Sequence, residues 1–212
     1  VAFYQWYSTS SIKSVSVYIQ ESNLNFKNVE LNYIVEYPSY GDDDAPLPML
    51  IALHGDSGWP QVFYENALDL LSKPMRVILI EAPISYGRGY RWPYKVEDIK
   101  LYGDALGHAV DKLTTKYPTT GKPMLMGFSG GGVMSYYQAV KHGNRYSYVF
   151  PIAARVTSDL LGDDMVKPGA KVVAFHGKTD SVFSHSSAVS SIKLLQSKGV
   201  PAELVTYTGH HN

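Results

Sequence analysis

Short apolar segments alternate along this chain with segments whose apolar residues have helical spacing. Six apolar segments have the length of a strand that is buried on both faces: residues 48–55, 75–83, 123–128, 148–154, 171–177 and 202–209. The segments with helical spacing lie between them, at residues 62–73, 97–117, 132–143 and 184–199. Because continuous apolar strands belong to sheets that are covered on both faces, this alternation predicts a mostly parallel sheet with helices on both sides.

The first 40 residues have a different pattern, which is typical of antiparallel strands. In residues 14–19 and 29–37, apolar and polar side chains alternate, and β-branched and aromatic residues are frequent,. Residues 38–48 are rich in turn formers and predict an exposed loop,. A length of 212 residues is typical of one domain. We therefore expect a single α/β domain over residues 1–212, with antiparallel N-terminal strands at one sheet edge and no large lid.

The composition excludes several classes of protein. Cysteine is absent, which excludes disulfides, Cys-ligated metal sites and catalytic thiols. Lys+Arg and Asp+Glu number 19 each, and this balance argues against binding to nucleic acid or to an anionic membrane surface. No segment has the roughly 18 continuous apolar residues that predict a membrane span.

The start of the sequence bears on the compartment. The first residue is Val1, and no basic segment followed by an apolar one is found there, so an intact signal peptide is not indicated. The missing Met suggests that an N-terminal segment has been removed. We expect a soluble protein, either cytoplasmic or exported with its signal peptide already cleaved, and slightly favour export.

The segment Gly127-Phe128-Ser129-Gly130-Gly131 has the pattern G-x-S-x-G. It follows an apolar segment and begins a helical one, which is the strand–turn–helix setting of a nucleophile on a sharp turn. Glycine on both sides of Ser129 removes side chains that would collide with the strand and the helix. This context favours a nucleophilic Ser129 over the alternative, a serine that only caps the helix.

A serine nucleophile needs a base and a third group that orients the base. Asp180 directly follows an apolar strand and is the candidate for the third group, with the alternative that it only forms a turn. Asp159, Asp163 and Asp164 are rival candidates. They lie in a segment that is typical of a solvated loop or a short helix, so we favour Asp180.

Two adjacent histidines, His210 and His211, follow the last predicted strand. Only one of them can face Ser129; we favour His210 as the base and keep His211 as the alternative. Adjacent histidines chelate one metal ion poorly, and the sequence contains no third ligand cluster. We therefore expect no metal and no cofactor. His54 and His176 stand at strand ends and are expected to brace loops through hydrogen bonds.

The oxyanion hole of such a site requires two backbone N–H donors. The N–H of Gly130 faces the site at the start of a helix. The segment LHGDSGW (53–59) follows an earlier strand, and its two glycines allow amides to turn inward. We expect the N–H of Asp56 to be the second donor; the alternative for this segment is an ordinary glycine-rich turn.

Together these motifs resemble the α/β-hydrolases, in particular the small capless phospholipase/carboxylesterase group. The segments that carry the resemblance are HGDSG (54–58), MGFSGGG (126–132), HGKTDSV (176–182) and GH (209–210), and residues 82–92 are similar to that group's aromatic loop. The resemblance covers about residues 48–210. It implies the α/β-hydrolase fold and hydrolysis of carboxylic esters or thioesters through an acyl-enzyme.

Two features differ from the pattern of that group. Gly130 stands where many members have Gln. The sequence also ends two residues after His210, where the fold normally continues into a last helix.

Aromatic residues cluster in the loop of residues 84–96, where Tyr86, Tyr90, Trp92 and Tyr94 are interleaved with Arg and Lys, which suits an aromatic wall near Ser129. We expect four aromatic residues to line a substrate pocket near Ser129: Trp59, Tyr86, Tyr90 and Trp92. The alternative is a surface loop that packs on itself. Interleaved aromatic and basic residues also occur in proteins that bind single-stranded nucleic acid, but one such segment in a chain without net charge argues against nucleic acid.

We expect a serine esterase that cleaves small-molecule carboxylic esters with short to medium acyl chains. The same motif also occurs in thioesterases, peptidases and esterases of polysaccharides or polyesters, and these stay open as alternatives. The alternative outside catalysis is a hydrolase-like binding protein. A nucleotide-binding loop is disfavoured because the glycine-rich segment has no P-loop Lys. The sequence leaves the oligomeric state open.

Overall fold

The structure is a computed structural model that describes residues 10–22, 25–39, 41–162 and 169–211. The strands are β1 (Lys13–Ser22), β2 (Asn25–Glu36), β3 (Met49–Leu53), β4 (Arg76–Ile80), β5 (Ile84–Tyr86), β6 (Gly89–Arg91), β7 (Met124–Phe128), β8 (Tyr148–Ile152), β9 (Lys171–Gly177) and β10 (Ala202–Tyr207). The helices are α1 (Pro60–Ala67), α2 (Val96–Lys116), α3 (Gly130–Lys141), α4 (Ser158–Leu161) and α5 (His185–Ser197), with a 3₁₀ turn at Gly143–Arg145.

Within the described ranges, eight strands form one sheet in the order β1-β2-β4-β3-β7-β8-β9-β10. β2 pairs with β1 and with β4 in antiparallel fashion. All other neighbours in the sheet are parallel. The prediction of a mostly parallel sheet with antiparallel N-terminal strands at one edge is therefore confirmed.

Strand β3 explains why a continuous apolar run is needed at the centre of this sheet. All five of its residues are buried. Because successive side chains of a strand point to opposite faces, Ile51 and Leu53 belong to the hydrophobic cluster shared with α2 and α3, whereas Leu50 and Ala52 belong to the cluster shared with α1. Helices thus cover both faces, as the alternation of the sequence predicts.

Two local predictions differ from the structure. Helix α1 ends at Ala67 although helical spacing continues to residue 73, and Leu70 is 90% exposed, because the N–H groups of Leu68 and Asp69 both turn back to the carbonyl oxygen of Tyr64. The predicted loop of residues 84–96 contains the small antiparallel hairpin of β5 and β6. Strands of three residues are too short to produce a recognisable alternation.

The start of helix α3 lies in direct backbone contact with strands β3 and β7. A Cβ atom on Gly131 would lie 2.5 Å from the carbonyl oxygen of Leu53 and 2.7 Å from that of His54. A Cβ atom on Gly127 would lie 2.2 Å from the carbonyl oxygen of Gly131. Only residues without a side chain permit this approach, so the two glycines fix the turn between β7 and α3 against the loop after β3.

We expect Gly131→Ala to lower the free energy of unfolding by about 1–3 kcal/mol, the usual cost of overpacking, because α3 must move away from β3. Urea unfolding followed by circular dichroism measures this change. Gly143→Ala is the matched control, since a Cβ there meets no atom closer than 3.5 Å and should change stability by less than about 0.5 kcal/mol. Equal unfolding midpoints for the two variants would contradict this packing role.

Candidate active site

Four loops that follow parallel strands bring together the candidate catalytic residues. Asp56 follows β3, Ser129 follows β7, Asp180 follows β9 and His211 follows β10. Ligands of open α/β sheets bind outside the carboxyl ends of the strands. The candidate site therefore lies at the carboxyl ends of the parallel strands, where proteins of this architecture bind their ligands.

Ser129 occupies a strained turn between β7 and α3. Its φ of 53° and ψ of −115° lie in a region that non-glycine residues rarely adopt. Its backbone N–H donates to the carbonyl oxygen of Ile152 at 2.9 Å, and its side chain forms no capping hydrogen bond to α3. The alternative of a serine that only caps the helix is therefore wrong, and the hydroxyl is free to face the neighbouring loops.

His211 connects Ser129 with Asp180. Its Nε2 lies 2.9 Å from Ser129 Oγ, and its Nδ1 lies 2.8 Å from Asp180 Oδ2. The rings of Phe128 and Phe183 pack against the imidazole, with centroids 5.2 and 5.8 Å away. Nδ1 thus faces an acceptor-only carboxylate, which leaves Nε2 able to accept the proton of the Ser129 hydroxyl.

The expectation that His210 is the histidine that faces Ser129 is wrong, because His211 takes that place. His210 Nδ1 lies 3.2 Å from both the side-chain and the backbone oxygen of Thr179, and its side chain is exposed. The carbonyl oxygen of Gly209 accepts hydrogen bonds from the N–H and the hydroxyl of Thr179 at 3.1 and 2.8 Å. These bonds turn the chain so that His210 points toward Thr179, and the next residue, His211, faces Ser129.

The Asp180 carboxylate is held by donors on both oxygens and is fully buried. Oδ1 accepts from the backbone N–H groups of Val182 and Phe183 at 2.8 and 2.9 Å. Oδ2 faces His211 and lies 3.4 Å from Nε2 of His176. Burial raises the pKa of Asp180, but the hydrogen bonds from His211 and the two N–H groups outweigh it, so the pKa lies below its ordinary value,.

The rival acids do not take this position. Asp159 lies in helix α4, is exposed and is not hydrogen-bonded to His211. Asp163 and Asp164 lie outside the described residues.

The backbone N–H groups of Asp56 and Gly130 belong to the two segments that meet at the nucleophile turn. Among the described residues, neither Asp56 N–H nor Gly130 N–H donates to a protein group. Gly130 begins helix α3, whose N-terminus favours negative charge,. A Cβ on Gly130 would lie 2.5 Å from Asp56 Oδ1, and a Cβ on Gly55 would lie 3.4 Å from Ser129 Cβ. The loop after β3 is therefore packed against the nucleophile turn, which suits an oxyanion hole.

Two clefts border this region and share Asp56. The larger cleft has a volume of about 310 Å³ and is mainly apolar, with charged groups at Asp56, Arg155 and Asp159; its other lining residues are Pro93, Tyr94, Val96, Ile99, Gly130, Val133, Val156, Thr157, Leu160 and Phe183. The smaller cleft has a volume of about 200 Å³ and is lined by Asp56, His54, Gly55, Ser57, Gly58, Trp59, Val62, Phe63, Asn66 and Phe128.

Of the four predicted pocket aromatics, only Trp59 lines one of these clefts. Its ring packs edge-on against Tyr90 at 5.1 Å. Tyr86 lies beside the guanidinium of Arg91, which is 4.6 Å from its ring centroid. Neither Tyr86 nor Tyr90 lines either of these two clefts, and Tyr90 reaches the smaller one only through Trp59.

The prediction for Trp92 is wrong, because this side chain belongs to the hydrophobic core. It is 1% exposed, and its indole N–H donates to the carbonyl oxygen of His54 at 2.8 Å. A buried tryptophan needs such a partner for its single polar atom. Trp92 therefore supports the loop after β3 from the side of the hydrophobic core and is not exposed to a ligand.

Two more aromatic residues line the larger cleft: Tyr94, which belongs to the predicted aromatic loop but not to the four predicted pocket residues, and Phe183, which sequence reasoning missed. Tyr94 belongs to the same aromatic segment, and its hydroxyl donates to Asp56 Oδ2 at 2.8 Å. Phe183 is three residues beyond Asp180 and packs on His211. Their closeness in sequence to predicted site residues was a signal, although it does not reveal which side chain faces the cleft.

The described part of the chain contains no group of three or more His, Cys, Asp or Glu side chains arranged to hold a metal ion. Within the same residues, no helix has both the length and the apolar character that a membrane crossing requires.

Comparison with known proteins gives matches at the level of structure. No protein-family model matches the chain, and no curated protein matches it. A carboxylesterase from Bacillus cereus superposes with a TM-score of 0.72 at 15% identity, over 86% of this chain and 87% of that one.

Two further esterase structures give the same result. A carboxylesterase from Mesorhizobium loti matches with a TM-score of 0.72 at 13% identity, over 93% of this chain and 91% of that one. A phospholipase/carboxylesterase from Dyadobacter fermentans matches with a TM-score of 0.61 at 14% identity, over 85% and 88%. The chain thus has the fold of these esterases, and the α/β-hydrolase fold implied by its motifs is confirmed.

Proposed function

We propose that this chain is a serine hydrolase that cleaves carboxylic esters through an acyl-enzyme on Ser129. The observation that carries the proposal is the continuous hydrogen-bonded series from Ser129 through His211 to Asp180. A hydroxyl is a poor nucleophile unless an oriented base accepts its proton, and this series supplies both base and orienting group. The fold shared with carboxylesterases supports the same class of reaction.

In the first half of the reaction, Ser129 Oγ attacks the acyl carbon while its proton passes to His211 Nε2. The ester C–O bond then breaks, and His211 returns the proton to the leaving alcohol. In the second half, water attacks the acyl-enzyme, His211 accepts its proton, and the proton returns to Ser129 as the carboxylic acid leaves. Asp180 accepts the Nδ1–H bond and stabilises the imidazolium that forms in both halves.

The negative charge that develops on the carbonyl oxygen requires donors that are already in place. The N–H groups of Asp56 and Gly130 are free of protein acceptors among the described residues and adjoin the nucleophile turn. In this proposal they form the oxyanion hole, and the N-terminus of α3 contributes the favourable end of its dipole.

The two clefts favour short to medium acyl chains. Their volumes of about 310 and 200 Å³ stand at or below the lower end of the roughly 300–1,000 Å³ typical of ligand pockets. One cleft would hold the acyl chain and the other the alcohol, because both border the loop of Asp56. The apolar lining of the larger cleft by Val133, Val156 and Phe183 suits hydrocarbon.

We expect the protein to hydrolyse p-nitrophenyl esters, with kcat/KM highest for short to medium acyl chains in a series from acetyl to palmitoyl. Ser129→Ala should reduce kcat at least about 10³-fold, because the nucleophile is lost. Thioesters of the same acyl chains test the thioesterase alternative. Full activity in Ser129→Ala would contradict the mechanism, and an inactive wild-type protein would favour the hydrolase-like binding protein.

We expect the two adjacent histidines to differ sharply in a matched pair of variants. His211→Asn should reduce kcat about 10³-fold or more, since it removes the group that accepts the Ser129 proton. His210→Asn should leave kcat within about threefold, because this residue does not act in the catalytic unit. Steady-state kinetics on the best ester of the series measures both, and the reverse order would show that His210 is the base.

A further inference from the structure

The side chain of Asp56 holds three parts of the site together. Its Oδ1 accepts the backbone N–H of Trp92 at 3.0 Å, and its Oδ2 accepts the hydroxyl of Tyr94 at 2.8 Å. Its carboxylate also adjoins the start of α3, because a Cβ on Gly130 would lie 2.5 Å from Oδ1. One residue thus joins the loop after β3, the aromatic segment after β6 and the nucleophile turn.

The loop is fixed independently on the N-terminal side of Asp56. His54 Nδ1 lies 2.7 Å from the carbonyl oxygen of Gly55, and His54 Nε2 accepts the N–H of Ala82 at 3.0 Å. Burial lowers the pKa of His54, which favours the neutral ring that these two bonds require. Residues 54 and 55 are therefore anchored to the end of β4 without the help of the Asp56 side chain.

The loop is fixed on the C-terminal side as well. Gly58 forms an antiparallel bridge with Tyr90, whose N–H donates to the carbonyl oxygen of Gly58 at 3.0 Å. Between the two anchors, Ser57 has a φ of 64°, which is strained for a residue with a side chain. A hydrogen bond from the Gly58 N–H to the carbonyl oxygen of Gly55 at 3.1 Å closes this turn, and the side-chain bonds of Asp56 join the same stretch to Trp92 and Tyr94.

The negative charge of the Asp56 carboxylate is not itself expected to assist catalysis. A negative group beside an oxyanion hole repels the negative charge that develops on the substrate oxygen. The N–H of Trp92 and the hydroxyl of Tyr94 partly compensate the carboxylate, and the guanidinium of Arg91 lies 4.8 Å from the centroid of the Tyr94 ring. A favourable contribution of Asp56 to catalysis has to come from the groups that it holds in place.

We propose that the Asp56 side chain is a positioning residue that fixes its own backbone N–H as an oxyanion donor, with Tyr94 as its partner. The inference rests on the proposed ester hydrolysis and gives Tyr94 a specific role in it. A mobile N–H donor stabilises the substrate oxygen less than a fixed one does. The loss of stabilisation is larger in the transition state than in the ground state, because the oxygen carries its full charge only in the transition state. Loss of the Asp56 contacts should therefore lower kcat more than it raises KM.

The test compares Asp56→Ala, Asp56→Asn and Tyr94→Phe on the best ester of the series. Removal of a whole oxyanion donor costs about 10²–10³-fold in kcat; Asp56→Ala keeps the N–H but not its support, so we expect about a 10–100-fold loss. Asp56→Asn keeps the acceptor for Trp92 and should stay within about threefold of wild type. Tyr94→Phe should lose about 3–10-fold, and Asp56→Ala/Tyr94→Phe should be no slower than Asp56→Ala, since coupled residues are not additive.

A second measurement separates positioning from general structural support. A trifluoromethyl ketone analogue of the ester forms a hemiketal with Ser129, and its oxyanion occupies the hole. Its inhibition constant should rise in Asp56→Ala by the same factor as kcat/KM falls, whereas inhibition by an uncharged, non-hydrolysable ether analogue of the ester, which places no charged oxygen in the hole, should stay unchanged. Tyr18→Phe, at a tyrosine that is 68% exposed on β1, is the matched control for Tyr94→Phe and should equal wild type.

The outcomes distinguish this inference from the proposed function. An active wild type with an unchanged Asp56→Ala overturns the inference alone, and so does an Asp56→Asn variant as slow as Asp56→Ala, because charge would then matter instead of position. An inactive wild type overturns the proposed function and the inference with it. If circular dichroism shows that Asp56→Ala does not fold, Tyr94→Phe and Asp56→Asn decide the question, and wild-type rates and inhibition in Tyr94→Phe overturn the inference.

Discussion

The candidate site depends on the backbone contact between the start of α3 and strands β3 and β7. Gly127 and Gly131 permit this contact, since a side chain at either position would meet a carbonyl oxygen at 2.2–2.5 Å. The resulting turn holds Ser129 at a positive φ, a conformation that costs about 1–3 kcal/mol and persists only where packing enforces it. The same contact brings the loop after β3 to the nucleophile turn, where Asp56 packs against Gly130 and Gly55 packs against Ser129.

His211, the proposed base, is supported from the other side by the loops that follow β9 and β10. Backbone N–H groups fix Asp180 Oδ1, and Thr179 binds the carbonyl oxygen of Gly209. These bonds fix the relative position of the two loops before any substrate is present. A catalytic group whose supporting contacts are already formed loses little free energy to ordering during the reaction. The lowered pKa of Asp180 also favours its ionised carboxylate, which the role proposed for it beside His211 requires.

The fold could be predicted from the sequence because burial on both faces requires continuous apolar strands such as β3 and β7. The strand–turn–helix setting of Ser129 and the place of Asp180 after β9 followed from the same pattern. The sequence alone could not show that His211 rather than His210 faces Ser129, because this depends on how the hydrogen bonds of Gly209 turn the chain. The positions of the aromatic side chains could not be predicted either. Trp92 is buried in the core with its N–H donating to a carbonyl oxygen, whereas Tyr94 faces the cleft.

The most direct test of the nucleophile is covalent labelling with a fluorophosphonate, followed by peptide mapping with mass spectrometry. The hydroxyl activated by His211 should displace fluoride and retain the phosphonyl group, since no other described serine has this hydrogen-bonded relation to a histidine and a buried carboxylate. We expect a single adduct on Ser129. The absence of an adduct, or an adduct on a different residue, would contradict the assignment of Ser129 as the nucleophile.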